Sequence, residues 1–181
     1  MKRVAIDIDE VLVSFVKPMA KWRGYDMPTI KKYPYVYRTM FNISETESRN
    51  MVREFYESNR FANLEPIKGA QDYVEHVNQY ADKLYIMTGR QDYARKQTET
   101  WLDKWFPKTF DDLIMTNSYT SIEVEKHDLC RSLALDTIID DSFETCSKCN
   151  RMGMNSINII GHDGIKYPWA VDSKMARMGW K

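Results

Sequence analysis

Apolar and polar positions divide the chain at about Glu65. Ahead of that point a single short apolar run is followed by helical spacings. Beyond it, short apolar runs and helical stripes alternate. Arg3 to Ile8 reads as a buried strand, V-A-I, with Asp7 and Asp9 at its exit. A helix is expected from about Val11 to Trp22. The Pro- and Tyr-rich stretch from Pro28 to Phe41 fits neither period. Ser44 with Glu47 three residues on has the capping-box pattern, and Met51, Val52, Phe55 and Tyr56 supply one apolar face to the helix it opens.

From Glu65 to Gly69 the character changes. Ala70, Tyr73, Val74, Val77 and Tyr80 share a helical stripe. Lys83 to Met87 is a strand that ends in Thr88-Gly89-Arg90. Tyr93, Gln97, Trp101, Leu102 and Trp105 suit a helix stopped by Pro107. Asp112 to Thr116 is the next strand, and Glu123 to Ala134 the next helix. Thr137 to Ile139 runs into Asp140-Asp141, Phe143 to Met152 is helical, and Ser156 to Ile160 is a fifth strand.

Strands separated by helix-length segments predict a doubly wound, three-layer Rossmann-like α/β fold with a parallel sheet. The strandless stretch after strand one reads as a helical insertion. The expected division is therefore a core of residues 1–13 and 65–181 with a helical cap of residues 14–64. In such sheets ligands bind at the carboxyl ends of the strands, near the point where strand order reverses.

Composition narrows the function. The 181 residues carry 26 Lys+Arg against 26 Asp+Glu, which argues against holding nucleic acid or an anionic membrane through broad basic charge. The start, MKRVAIDIDEVL, has acids inside its apolar run and is not expected to be a signal peptide, and no apolar stretch is long enough for a membrane span. Three cysteines, an odd number without framework spacing, suit a reducing interior, so a cytoplasmic location is expected.

Four places can carry chemistry. Asp7 and Asp9 at a strand exit can supply a nucleophile and a proton carrier, or can close a turn and cap the next helix. Asp140-Asp141 would repel each other without a cation, and an oxygen-only acidic site suits Mg²⁺; equally, Asp141 or Ser142 can cap a helix. Thr88 and Gly89 ahead of a helix make a phosphate cradle or a plain turn. Lys126 can reach a phosphate or be a surface lysine. Asp7, Thr88 and Asp140 all fall at the carboxyl ends of expected strands, and Lys126 leads into one. That shared placement favours one joint site.

Together, DIDEVL, MTGR, Lys126 and IIDDS resemble the four motifs of the haloacid dehalogenase-like phosphohydrolase superfamily, at matching spacing over nearly the whole chain. Within it the DxDxVLxxF start (Asp7 through Phe15), the short aromatic-rich cap and IDD resemble the 5'(3')-deoxyribonucleotidase group. The resemblance implies a Mg²⁺-dependent phosphomonoesterase acting on nucleoside monophosphates. Asp7 would become an aspartyl-phosphate, and Asp9 would protonate the leaving oxygen and then activate water. Thr88, Gly89 and Lys126 would bind phosphate. Asp7, the Asp9 carbonyl and Asp140 or Asp141 would hold Mg²⁺. Two departures stand out. Glu10 adds an acid that would have to point outward or pair with Arg90, and the second motif reads TGR where that group suggests Thr-Ser.

Substrate choice is expected in the cap. Phe15, Trp22, Tyr33, Tyr35, Tyr37 and Phe41 could stack on a base or pack the cap, with Arg90 beside them. Arg23, Lys31, Lys32 and Arg38 could steer an anion or simply be solvated. Cys146-x-x-Cys149 lacks a second pair and reads as packing, and His127 and His162 complete no ligand set. The tail from Tyr167 to Trp180 suits a last helix or a contact in a homodimer. Alternatives are a phosphatase for another small ester or a nucleic-acid 3'-phosphate, and a nucleotide-binding protein without turnover. No stable nucleic-acid partner is expected.

Overall fold

The apolar runs form strands that stack side by side in the order their connecting helices allow. In the computed structural model, which describes residues 1–28 and 35–180, β1 (Arg3–Ile6), β2 (Lys83–Thr88), β3 (Asp112–Met115), β4 (Thr137–Asp140) and β5 (Asn155–Ile159) lie parallel in the order β3-β2-β1-β4-β5. β1 is the centre, and its Ala5 and Ile6 are completely buried, as expected of a strand covered on both faces. From β1 the chain winds outward through β2 and β3, then returns to β4 on the other side. The reversal of strand order therefore falls between β1 and β4, where this class of sheet opens a ligand crevice.

Helices α5 (Ala70–Asn78), α6 (Arg95–Trp105), α7 (Lys126–Ser132) and α8 (Phe143–Arg151) link or precede the later strands. Between β1 and β2, the segment expected to be strandless holds α1 (Val16–Arg23), α2 (Tyr37–Met40), α3 (Glu45–Tyr56) and α4 (Asn59–Ala62). Ser44 accepts from the Glu47 amide at 3.1 Å, half of the expected capping box. The Glu47 carboxylate turns instead to the Tyr25 hydroxyl at 2.8 Å. Met51, Phe55 and Tyr56 of α3 are buried together with Val16 and Met19 of α1, in an apolar cluster continuous with Ile6 and Ile86 of the sheet. Burial of this kind stabilises by roughly 25 cal/mol per Å² of apolar surface.

Three boundaries differ from expectation. The first helix begins at Val16, not near Val11, because the Ile8 carbonyl collects the amides of Val11, Leu12 and Val13 into a tight turn. Glu10 takes the left-handed region at φ 58° within that turn. The helix before β4 is trimmed to Lys126–Ser132, with Ala134 left-handed just beyond it.

The tail is not a helix. Gly161–His162 and Ile165–Lys166 form a two-stranded hairpin, β6 and β7. Arg177–Met178 adds β8 parallel to the far edge of β5. The open edge of β5 takes up the tail's backbone groups, with Ile160 donating to Met178 and Asn158 to Ala176, while Gly164 and Pro168 interrupt any helical register.

Candidate active site

The register of β1 on β4 pairs Ile6 with Ile139, so the next residues along, Asp7 and Asp140, come abreast at the crevice. The Asp7 amide donates to the Ile139 carbonyl at 2.9 Å, which fixes the backbone of that step. Thr88 closes β2 on the other side of β1. The ends of three adjacent strands thus lie along the same edge of the sheet.

Lys126, the first residue of α7, lies between the two carboxylates, with Nζ 2.9 Å from Asp7 Oδ2 and 2.7 Å from Asp140 Oδ2. The second oxygen of each acid is also held. Asp7 Oδ1 accepts from the Ile8 amide at 2.8 Å, and Asp140 Oδ1 from the Ser142 amide at 2.8 Å. Burial pushes the Asp7 carboxyl up to about 7 against the pull of Lys126, with Asp140 and Asp9 adding to the rise. Burial alone would lower Lys126. The charges and hydrogen bonds of Asp140 and Asp7 outweigh it and hold the ammonium above its ordinary value.

Asp141 is different. It is 2% exposed, and its Oδ2 accepts from the Trp169 indole N–H at 2.9 Å. Its Oδ1 is buried without a hydrogen-bond partner among the described residues. Burial first, then the charges of Asp140 and Asp7, pushes its carboxyl well above the usual range. One oxygen each from Asp7, Asp140 and Asp141 lie within 4.8 Å of one another. Ser142 is the N-cap of α8, accepting from the Thr145 amide at 3.2 Å. The helix-capping role that Asp141 could have filled is therefore taken by its neighbour. Asn158 of β5 fixes the turn, donating to the carbonyls of Asp140 and Asp141 at 3.1 and 3.0 Å.

Asp9 faces the other cation. Arg90 Nε and Nη2 reach its two oxygens at 3.0 and 2.7 Å, a fork-on-carboxylate pair. Arg90 Nη1 donates to Thr98 at 3.0 Å. The guanidinium sits 5.1 to 5.8 Å from the ring centres of Phe61, Tyr56 and Phe15, within cation–π range. Glu10 neither points to solvent nor pairs with Arg90. It is 2% exposed, and its Oε1 accepts from the amides of Phe15 and Val16, both at 2.7 Å. The extra acid thereby supplies the missing cap of α1 from five residues upstream. Burial raises Glu10 to about 7, opposed by those two amides.

Thr88 is fully buried at the end of β2. A Cβ built on Gly89 would stand 2.8 Å from Ser118 Oγ, so the loop after β3 crowds this turn.

Burial changes the reading of two residues expected to face substrate. Phe15 and Arg90 are 1% and 2% exposed. Phe15 packs against Phe55, Tyr56 and Phe61 with ring centres 5.2 to 6.3 Å away. Trp22 is 38% exposed and rests on Phe55, with Arg23 beside it. Tyr37, half-buried at the start of α2, packs edge-on to Tyr35 at 6.0 Å. Phe41 stacks on Tyr25 at 5.5 Å. Arg38 pairs with Glu45 and Arg23 with Glu54, both at exposed positions. Tyr33, Lys31 and Lys32 lie outside the described residues. The three cysteines are free and buried, in keeping with packing.

Trp169 was missed at the level of sequence, and so was Tyr167, whose hydroxyl donates to the Glu10 carbonyl. The only signal was their aromatic character in a tail with no helical period.

Asp7, Asp140 and Asp141 thus cluster around Lys126, while Asp9 beside them is paired with Arg90. A divalent cation is the group that would relieve the excess negative charge. The orphaned Asp141 oxygen, flanked by two further carboxylates and no soft ligand, is a donor set that fits Mg²⁺.

Comparison with solved structures places the fold. A haloacid dehalogenase-like hydrolase from Streptococcus pneumoniae matches at TM-score 0.62 and 16% identity, over 88% of this chain and 84% of its own. A predicted phosphoglycolate phosphatase from Haemophilus somnus matches at 0.58 and 15%, over 88% and 85%. A magnesium-bound HAD-hydrolase from Bacillus subtilis matches at 0.56 and 13%, over 87% and 88%. At such identities the likeness is one of fold, the haloacid dehalogenase-like α/β fold. No match was found among curated proteins. The chain belongs to the family described as "5' nucleotidase, deoxy (Pyrimidine), cytosolic type C protein", whose model matches residues 1–154. It is a haloacid dehalogenase-like phosphohydrolase. No helix among the described residues is long and apolar enough to cross a membrane.

Proposed function

We propose that the protein is a Mg²⁺-dependent phosphomonoesterase that hydrolyses nucleoside monophosphates in the cytoplasm through a phosphorylated Asp7. The observation that carries this reading is the clustering of Asp141, whose buried Oδ1 has no hydrogen-bond partner among the described residues, with Asp7 and Asp140. Asp141, whose Oδ1 has no hydrogen-bond partner among the described residues, is assigned as a direct metal ligand with Asp7 and the Asp9 carbonyl, and Asp140 as the acid that fixes Lys126. Bound Mg²⁺ would offset the charge that the carboxylates and the phosphate bring together.

The chain's own groups do the rest. A carboxylate oxygen of Asp7 forms the new bond to phosphorus as the ester P–O bond breaks, and Asp9 delivers a proton to the leaving oxygen. Water then attacks phosphorus, its proton passes to Asp9, and the Asp7–phosphorus bond breaks to release phosphate and restore the carboxylate. Lys126, the Thr88 hydroxyl and the Gly89 backbone hold the phosphoryl oxygens. Arg90 orients Asp9, and Phe15 supports Arg90 from below. Trp22 and Tyr37 remain the aromatic candidates for contact with the base. The family description favours a deoxypyrimidine nucleotide.

The test is release of phosphate from a panel of nucleoside 5'- and 3'-monophosphates, other small esters and an oligonucleotide 3'-phosphate. Wild type is expected to prefer mononucleotides, with no turnover in Asp7→Asn or without divalent metal. Full activity of Asp7→Asn would sink the mechanism. Preference for another ester would sink the substrate.

A further inference from the structure

The residue that fixes Asp141 lies outside the matched family segment. Trp169 follows the β6–β7 hairpin, 28 residues beyond Asp141, whereas the family match stops at residue 154. Its indole is 7% exposed and is clamped on both faces. The Tyr35 ring stacks on it at 4.3 Å with 9° between planes, and the Tyr167 ring at 4.9 Å with 14°. Tyr167 is anchored in turn to the Glu10 carbonyl by its hydroxyl, which also lies 3.2 Å from His162 Nδ1. On the other face, the Tyr35 carbonyl accepts from the Tyr119 hydroxyl at 2.8 Å.

This arrangement restricts a carboxylate. An indole has one N–H and a rigid plane. With both faces stacked, the plane of Trp169 is set, and its N–H reaches Oδ2 of Asp141. The rotation of Asp141 is then set as well, which leaves Oδ1 as the oxygen without a hydrogen bond among the described residues. Groups one step removed from a metal commonly orient the ligands in this way, and losing one typically costs 10–100-fold in metal affinity.

We propose that Trp169 is a positioning residue for the divalent-cation site and that its stacking on Tyr35 ties cation affinity to the seating of Tyr35, just ahead of α2. The inference rests on the reading of Asp7 and Asp141 as cation ligands. The coupling is reciprocal: what loosens Tyr35 from Trp169 weakens the cation, and the cation steadies the stack.

The experiment is calorimetric titration with Mg²⁺ alone, paired with the change in tryptophan emission on adding Mg²⁺. The proteins are wild type, Trp169→Phe and Tyr35→Ala. Trp169→Phe keeps an aromatic ring in the stack and removes the N–H. It is expected to bind Mg²⁺ about 10–100-fold more weakly and to lose the emission change, while still unfolding in one cooperative transition. Tyr35→Ala keeps the N–H and is expected to bind several-fold more weakly, and it carries the test if Trp169→Phe does not fold.

Equal Mg²⁺ affinity in wild type and Trp169→Phe overturns the role of Trp169 and leaves the cation site intact. Unchanged affinity in Tyr35→Ala overturns the coupling. A wild type that binds no Mg²⁺ overturns the cation site and this inference with it.

Discussion

Arg90 grips both oxygens of Asp9 from a position where only 1% of its own side chain meets solvent, against 16% for Asp9. The clamp fixes the orientation of the proposed proton carrier, and a planar fork does this where a single ammonium cannot. Arg90→Lys keeps the charge and loses the second contact. Its kcat is expected to fall about 10²-fold, the scale of a misplaced catalytic group, with KM changed far less. A KM-only effect in steady-state kinetics would refute the positioning role. Arg90→Met leaves Asp9 unpaired and is expected to destabilise the protein by about 3 kcal/mol in urea unfolding, as breaking a buried pair does.

Lys126 is the internal cation between Asp7 and Asp140. Lys126→Met should abolish phosphate release and lower the metal-free melting temperature, because two buried carboxylates then face each other. Saturating Mg²⁺ supplies positive charge at the same place. The rise in melting temperature on adding it is therefore expected to be larger in Lys126→Met than in wild type. An equal or smaller rise would separate the lysine from the cation site.

Gly89 is needed for space. Its Cβ would meet Ser118 Oγ at 2.8 Å and Ser118 Cβ at 3.2 Å. Gly89→Ala is expected to destabilise by about 1–3 kcal/mol, the usual cost of overpacking. Ser118→Gly in the same chain should recover most of that loss. Additive effects in a double-mutant cycle would place the strain elsewhere.

His162 supplies a pH-dependent contribution. Burial lowers its pKa below the ordinary 6.5, with Asp163 opposing and Lys17 assisting. The unfolded chain then takes up a proton that the folded one refuses. Stability from this group is full above pH 6.5 and declines as pH falls below it. His162→Gln should show a smaller loss of melting temperature between pH 7.5 and 5.5 than wild type does. Identical pH profiles would contradict the assignment.

Cys130, Cys146 and Cys149 are fully buried. Hydrogen bonding to Cys149 and burial push the Cys130 thiol up, and burial does the same to Cys146. All three are expected to resist a thiol reagent in the native protein and to react on unfolding. Rapid labelling of the folded protein would show that the region around α8 opens.

The strands, the helices between them and the placing of Asp7, Thr88 and Asp140 at strand ends were legible in the sequence, because short apolar runs bounded by polar residues fix both the sheet and its exits. Asp141 and Asp140 could not be told apart from spacing. Their difference lies in which oxygen finds Ser142, Lys126 or Trp169, and the last of these comes from a distant part of the chain. The role of Glu10 stayed open because a capping carboxylate five residues ahead of a helix follows no local pattern. Phe15 and Arg90 were expected to contact substrate, and their burial against Phe55, Tyr56 and Phe61 follows from cap packing that no spacing shows. The tail strand was hidden because β8 is two residues long and owes its existence to the edge of β5.

The tail also sets a timetable. The Trp180 indole donates to the Val11 carbonyl across 169 residues, and Tyr167 reaches Glu10 across 157. During synthesis at about 5–20 residues per second, roughly 10–30 s separate the emergence of the Asp7–Glu10 turn from the partners that secure it. Over that interval the nascent chain can assemble its inner strands while Asp141 has no indole to orient it. Tight hold on a cation would then be acquired late, after the sheet.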